Sequence, residues 1–453
     1  MHSEVCQLDP VDVIPAPGQL AALSMQHVLT MYAGAVTVPL LIASALRLSQ
    51  QDAAYLVSAD LFACGIVTLI QSLGIGSFGA RVPVVMGVTF VGVMPAIAIA
   101  QQPGLGLPGV FGASIMAGLL VMPLAGMVGR FRNLFTPAVT GTAMLLIGLS
   151  LMSVAVDWAA GGAEASDYGA PRNLAIAALT VVTILVCSRL LRGFGANCAI
   201  LIGMSAGYLV GWLAGMVNLE NIASEPVVRL VTPFHFGVPV FDPVAVISMI
   251  IVLMVTMVES SGMLTMLGEI VDRPMNDKRL ASGLRADCIG AVVGGLFNSF
   301  PYTSYAQNIA LVSLTGVRSR FVCVGAAVIM MALALLPKLS TLVAAIPPSV
   351  LGGAALILFG MVAVSGIRSL AAAGLDKSRD QMLIVATSLA IGLIPSMSQR
   401  FFAHVPDALA PFTHSGVLLG ILTAVALSFF LRRQEIPGAA AVAPPATPET
   451  ILA

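Results

Sequence analysis

NSFPYTSYAQNIALVSLTGVRSR, residues Asn298–Arg320, is a polar island in an apolar chain. It groups Tyr302, Thr303, Ser304, Tyr305, Gln307 and Asn308 between segments apolar enough to lie at membrane depth. Lipid-facing helix does not carry such a cluster. Polar side chains and non-helical backbone are tolerated at that depth where they line a cavity or are buried in protein. The stretch therefore marks an interrupted membrane segment and the first place to look for a ligand.

The composition around it excludes a soluble protein. Of 453 residues, 58% are hydrophobic and 9% charged, against about a quarter charged in soluble domains. Apolar runs of about 20 residues fill most of the chain. The net charge is zero, so nothing points to nucleic acid. Six cysteines (Cys6, Cys64, Cys187, Cys198, Cys288, Cys323) show no CxxC or Cys/His spacing and read as small apolar fillers. The run Glu259-Ser260-Ser261-Gly262 is not a GxSxG elbow, and no HExxH or GxxxxGK[ST] pattern occurs, so neither an enzyme nor an ATP-driven pump is indicated. No metal or organic cofactor is implied. Residues 1–18 read as a polar N-terminal tail without a basic signal-peptide region, and 434–453, rich in Pro and Ala, as a disordered tail.

Apolar runs fall near 20–46, 53–73, 81–100, 109–129, 134–155, 172–191, 197–216, 243–271, 282–297, 301–317, 320–336, 341–367, 379–395 and 414–431. Fourteen segments put both termini on one side. With the N-terminus cytoplasmic, sixteen of the 21 Lys and Arg face the cytoplasm, leaving Arg47, Arg172, Arg229, Lys338 and Arg400 opposite. That is the asymmetry of the positive-inside rule. The expected fold is an all-α polytopic membrane protein. Its fourteen segments divide seven and seven, and the third, with Pro83, Gly87, Gly92 and Pro95, then corresponds to the interrupted tenth. Seven is odd, so the second half enters from the opposite side. Paired broken segments in an inverted repeat are the sequence mark of a transporter's binding site.

Glu259 lies deep in the eighth segment, in VTMVESSGMLTML. A carboxylate at mid-bilayer costs about 2.5–3.5 kcal/mol on insertion scales and normally faces a cavity. Asp287 opens the ninth segment two residues from Arg285, so an interfacial ion pair competes with a functional role. Gln307 and Asn308 each offer an acceptor and a donor. With Glu259 they suit a flat heterocycle bearing C=O and N–H edges; alone they could cap a broken helix. A helix starting just after Ala306 would add backbone N–H groups. Gly87 and Ala306 permit close approach, and Phe90 offers a stacking face. His27, beside Gln26 in the first segment, reads either as a packing residue or as part of the site.

These residues resemble the nucleobase–ascorbate transporter family, the xanthine/uracil permeases. Its signature, Gln/Glu–Asn–any–Gly, four residues, then Thr and Arg, Lys or Gly, matches Gln307-Asn308-Ile309-Ala310 through Thr315-Gly316, with Ala310 in place of Gly. Further matches are Gln26-His27-Val28-Leu29, Gly87-Val88-Thr89-Phe90, Glu259-Ser260-Ser261-Gly262, Gly294-Gly295-Leu296-Phe297-Asn298, and Ile346-Pro347-Pro348 to Gly353. Each is weak; together, in order, they are strong.

The resemblance implies a seven-plus-seven inverted repeat, with short strands in segments 3 and 10 meeting at the site. It implies a core (substrate) domain from 19–129 and 243–336, and a gate and dimerisation domain from 130–242 and 337–433. It also implies a homodimer, an elevator-type motion and, for a bacterial member, proton symport in the inner membrane. Glu259 and Gln307 would hold the base, Phe90 would stack, and Ala306 and Thr89 would complete the contact. Asp287 and His27 would serve coupling or site organisation, and Asn308 the shape of the site. Gln at 307 and the runs ESSGMLTMLGEI and GVTF resemble the urate and xanthine branch. Alternatives are uracil or ascorbate on the same scaffold, or an anion carrier of the sulfate-permease type, which the buried carboxylate disfavours.

Overall fold

The computed structural model describes residues 9–127, 137–372, 378–398, 400–406, 409–413 and 415–431. The first half contributes α1 (Pro17–Ala45), α2 (Gln50–Leu69), β1 (Met86–Val88), α3 (Val93–Ala100), α4 (Gly106–Val121), α5 (Pro137–Ala159), α6 (Pro171–Leu190) and α7 (Ala199–Leu213). The second contributes α8 (Pro243–Ile270), α9 (Asp277–Leu296), β2 (Tyr302–Ser304), α10 (Ala306–Thr315), α11 (Phe321–Ala334), α12 (Pro337–Ala344), α13 (Pro348–Ala372), α14 (Arg379–Met397) and α15 (Gly416–Phe430).

Helix starts follow local chemistry. Pro occupies the first turn of α1, α6, α8 and α12, where its missing N–H costs nothing. Ser49, Asp242 and Asn276 cap α2, α8 and α9 through their side-chain oxygens. α2 runs on into a π turn, Ile70–Gly74.

Among the described residues, eight helices are long and apolar enough to cross a membrane. The pair α11 and α12, bent by 82°, makes a ninth if taken as one span. This is a multi-pass membrane protein. Fourteen crossings would also require the shorter elements, including Phe90–Ala100, Ala199–Leu213 and Gly416–Phe430. α9 falls outside the apolar set because its first turns carry Asp277, Lys278, Arg279 and Arg285.

The helices pack in two groups: α1, α2, α4, α8, α9 and α11 around the strands, and α5 with α13, flanked by α6, α7, α14 and α15. The strands form an antiparallel pair with register Met86↔Ser304, Gly87↔Thr303 and Val88↔Tyr302. Each strand leads into a helix, so the crossing joins two sequence-distant segments through a backbone ladder, to which the Ser304 and Tyr305 hydroxyls add contacts with Met86 Sδ and Val88 O.

Two expectations change. The N-terminal tail is partly packed structure: Pro10–Asp12 forms a 3-10 turn with Val11 fully buried. Arg320 N–H donates to Val11 O at 3.0 Å, Ser319 Oγ to Val13 O at 2.6 Å, and Arg273 and Arg320 pair with Asp12. Arg273 also pairs with Asp9 at 3.4 Å, so two acidic residues of a polar segment have basic partners far away in sequence. Asp287 does not open its segment; it is the eleventh residue of α9, whose polar first turns the apolar pattern left out. The expected tail at 434–453, the boundary at 129/130 and residues 1–8 of the other tail lie outside the described residues.

Candidate functional site

The strand crossing organises everything near it. Its ladder is lengthened by Thr89 N–H to Pro301 O at 2.9 Å and Tyr305 N–H to Val85 O at 3.0 Å. Beyond β1 the chain turns at Thr89, whose Oγ1 accepts from Val91 N–H at 3.2 Å, and enters α3. Beyond β2, Tyr305 precedes α10, which begins at Ala306 without a side-chain cap. The first N–H groups of a helix have no partner inside it and carry its positive dipole end. At α10 they belong to Ala306, which is exposed, Gln307, half-buried, and Asn308, buried.

α8 grips both strands from one side. Thr256 Oγ1 donates to Val252 O and lies 3.4 Å from Thr89 Oγ1. Ser260 Oγ shares a hydrogen bond with Thr303 Oγ1 at 3.1 Å and accepts from Ser304 N–H at 3.4 Å. Glu259 stands between those two contacts on α8, half-buried. Among the described residues neither Glu259 nor Gln307 has a hydrogen-bond partner, so both polar ends remain available. Phe90 is half-buried and meets Phe359 of α13 edge-to-face, with ring centroids 5.8 Å apart at 82°.

The Asn308 side chain is committed to α1. Its Nδ2 donates to His27 Nδ1 and to His27 O, both at 3.0 Å. An amide N–H facing Nδ1 makes that atom the acceptor and leaves the ring proton on Nε2. The pair clamps α10 to α1, with His27 2% exposed. Asp287 is fully buried, its oxygens lack a hydrogen-bond partner among the described residues, and Ser260 and Glu259 lie near enough to act on it. The structure therefore gathers Thr89, Glu259, Ala306 and Gln307 at the crossing, with Phe90 beside it, and sets His27–Asn308 and Asp287 behind.

Two positions explain themselves in space. A Cβ on Gly87 would meet the Tyr305 ring at 2.4 Å, so the close approach there belongs to a tyrosine of the chain itself. Gly316 ends α10 with φ +67°, its N–H bonded to Val312 O, the left-handed cap that glycine adopts without penalty. Ala310, which replaces the signature glycine, is exposed on α10.

Sequence reasoning missed the inner face of α2. Asp60, Cys64, Thr68 and Ser72 recur every four residues and so share one helix face. Ser72 Oγ donates to Val84 O at 3.1 Å, Thr68 Oγ1 accepts from Met86 N–H at 3.0 Å, and Cys64 Sγ points at Met86 O. Asp60 Oδ1 accepts from the hydroxyls of Ser299 and Tyr302, each at 2.8 Å. The four-residue polar period inside an apolar run was the available signal.

The xanthine/uracil permease model, described as a permease family, matches residues 18–401. The chain is 47% identical over 423 residues to the uric acid transporter UacT of Escherichia coli, covering 93% of this chain and 88% of that one. It is 40% identical to the uric acid permease PucJ of Bacillus subtilis (91% and 92% covered) and 39% identical to that organism's xanthine permease (91% and 93%). Among solved structures, the transmembrane domain of the cyanobacterial bicarbonate transporter BicA superposes with a TM-score of 0.60 at 16% identity, covering 92% and 99%. SLC26A9 does so at 0.62 and 13%, covering 92% and 66%. At such identities the likeness is one of fold.

Proposed function

This chain belongs to the xanthine/uracil permease family, and from that membership we propose that it carries a purine base, urate or xanthine, into the cell by proton-coupled secondary transport. One observation carries the reading: Glu259 and Gln307 stand uncommitted beside the uncapped N-terminus of α10 at a strand crossing. A carboxylate accepts from ring N–H groups, and a primary amide answers an adjacent C=O and N–H edge. The backbone N–H groups of α10 suit a carbonyl or an anionic ring oxygen, and the half-buried Phe90 ring suits a flat π system. The relatives named uric acid transporter, uric acid permease and xanthine permease support that substrate class.

In this reading the two packed helix groups are the core domain, 19–129 and 243–336, and the gate domain, 130–242 and 337–433. The core slides against the gate as an elevator within a homodimer of the inner membrane, both termini cytoplasmic. The two halves form the seven-plus-seven inverted repeat, with the broken third and tenth segments meeting at the substrate. Asp287 and His27 take part in proton coupling and site organisation, and no further cofactor is used.

The test is uptake of labelled urate and xanthine by vesicles containing the purified protein, with a panel of unlabelled xanthine, urate, uracil and ascorbate as competitors. Saturable accumulation that an uncoupler abolishes, blocked by urate or xanthine and not by uracil or ascorbate, is expected. Accumulation driven by a sodium gradient after uncoupling would overturn the coupling ion. Preferential competition by uracil or ascorbate would overturn the substrate.

A further inference from the structure

Asp60 sits at the membrane-embedded middle of α2, 1% exposed. An acidic residue there is costly and is retained for a task. Its Oδ1 collects two hydroxyl donors, Ser299 and Tyr302, at 2.8 Å each, while Oδ2 has no partner among the described residues. The two donors are themselves 2.9 Å apart, and Tyr302 Oη also reaches Asp60 O at 3.0 Å. The triangle of carboxyl and two hydroxyls is closed and wholly buried.

Its place in the fold gives it a role. Along a strand successive side chains point to opposite faces. Thr303 faces α8 and bonds Ser260, so Tyr302 faces the other way and bonds Asp60 on α2. Ser72, Thr68 and Cys64 hold β1 or the residues leading into it; Asp60 is the rung of that ladder that reaches past β1 to β2. β2 is thus held from two sides, and two residues beyond it the chain begins α10 with Ala306 and Gln307. Asp287 offers a contrast. α2 and α9 are both 20 residues long, and each has aspartate as its eleventh residue, yet Asp287 has no hydroxyl pair. Asp60 is the one of the two that is built into the strand crossing.

We propose that Asp60 is a positioning residue for the substrate site: through the hydroxyls of Tyr302 and Ser299 it fixes β2, and thereby the placement of Ala306 and Gln307 against the substrate. The proposal rests on the transport reading above for its substrate, and on geometry for the rest. A hydrogen-bond acceptor is what the position requires, so an amide oxygen replaces the carboxylate and a methyl group does not.

The experiment measures the KM of labelled urate or xanthine uptake, normalised to folded protein, for Asp60→Asn, Asp60→Ala, Tyr302→Phe and the double variant Asp60→Ala/Tyr302→Phe. Asp60→Asn is expected to stay within about twofold of the parent KM, since its carbonyl still accepts both hydroxyls. Asp60→Ala is expected to raise KM about tenfold, the scale of buried hydroxyl donors left without their acceptor, and the double variant to add little to it because both act through one contact. A loss confined to the amount of folded protein, with KM unchanged, would overturn the proposal, as would an Asn variant as impaired as the Ala one. Hydrogen–deuterium exchange across residues 302–307 of the purified variants reads the same placement without transport. Faster exchange in Asp60→Ala and Tyr302→Phe than in Asp60→Asn supports it, and equal exchange overturns it. A parent protein that takes up neither base, with the exchange pattern as expected, would overturn the transport reading and leave the positioning role standing.

Discussion

Gly87→Ala is a one-methyl change whose consequence can be worked from the structure. The added Cβ would lie 2.4 Å from Tyr305 Cζ, 2.5 Å from Cε1 and 2.7 Å from Cε2. Carbon atoms in contact keep about 3.5–4.0 Å, so the ring or the strand must yield by about 1 Å. The ring has little room. A Cβ site on Gly34 is 3.5 Å from its Cε2, its hydroxyl lies 3.4 Å from Val88 O, and its own N–H is tied to Val85 O. Overpacking of this kind costs about 1–3 kcal/mol. Tyr305 is the residue before α10, so the displacement passes into Ala306 and Gln307. If all of it is expressed in substrate binding, affinity falls about five- to hundredfold, at about 1.4 kcal/mol per decade. The assay is the concentration dependence of labelled urate uptake, alongside thermal unfolding of the purified protein. Removing the ring as well, in Gly87→Ala/Tyr305→Ala, should relieve the added clash, so the effect of Gly87→Ala shrinks in that background. A Gly87→Ala protein with parental KM and parental unfolding temperature would refute the reasoning.

Glu259→Gln is expected to abolish uptake while the protein still inserts and folds; undiminished uptake, measured against membrane content, would remove Glu259 from the site. Gln307→Glu should shift the order in which xanthine, urate and uracil compete for one labelled base, and an unchanged order would remove Gln307 from recognition. Burial pushes the Asp12 carboxyl up, but the hydrogen bond from Arg320 and the charges of Arg273 and Arg320 outweigh it and hold the group below the ordinary carboxylate value. Stability from this contact is therefore full above the unfolded pKa of 3.8 and lost as pH falls through the lower folded value. Asp12→Asn should remove that part of the acid sensitivity, read as exchange at residues 9–13 against pH; identical acid profiles in the two proteins would count against it.

The candidate site was legible wherever polarity broke an apolar background. The run Asn298–Arg320, the carboxylate of Glu259 and the amide of Gln307 all stand out against lipid-compatible sequence, and the helix considered to start just after Ala306 begins at Ala306 itself. Strands three residues long carry too few side chains to show a period of two, so the pairing of Met86–Val88 with Tyr302–Ser304 came from the family resemblance. Asp60 was visible as an acidic residue in an apolar run, yet its partners Ser299 and Tyr302 are some 240 residues away, and no local pattern joins them. Asp287 was placed at an edge because hydropathy begins counting where charge stops, while α9 begins with its charged turns. Gly87 looked like room for a ligand and proved to be room for Tyr305, a distinction that depends on where one ring points.

The crossing strands lie 218 residues apart in the chain, Met86 from Ser304. At about 5–20 residues per second of synthesis, β1 emerges roughly ten to forty seconds before its partner exists. During that interval Met86–Val88 has unpaired backbone groups on one side, and the carboxyl of Asp60 has neither of its hydroxyl donors. Membrane-depth backbone without a partner is unstable, so the first half of the chain is born needing shelter, from the translocation machinery or from the helices already inserted. The strand crossing then closes only once Ser304 has been made, with α11–α15 still to follow, and its closure gives the early segments their partners in the bilayer.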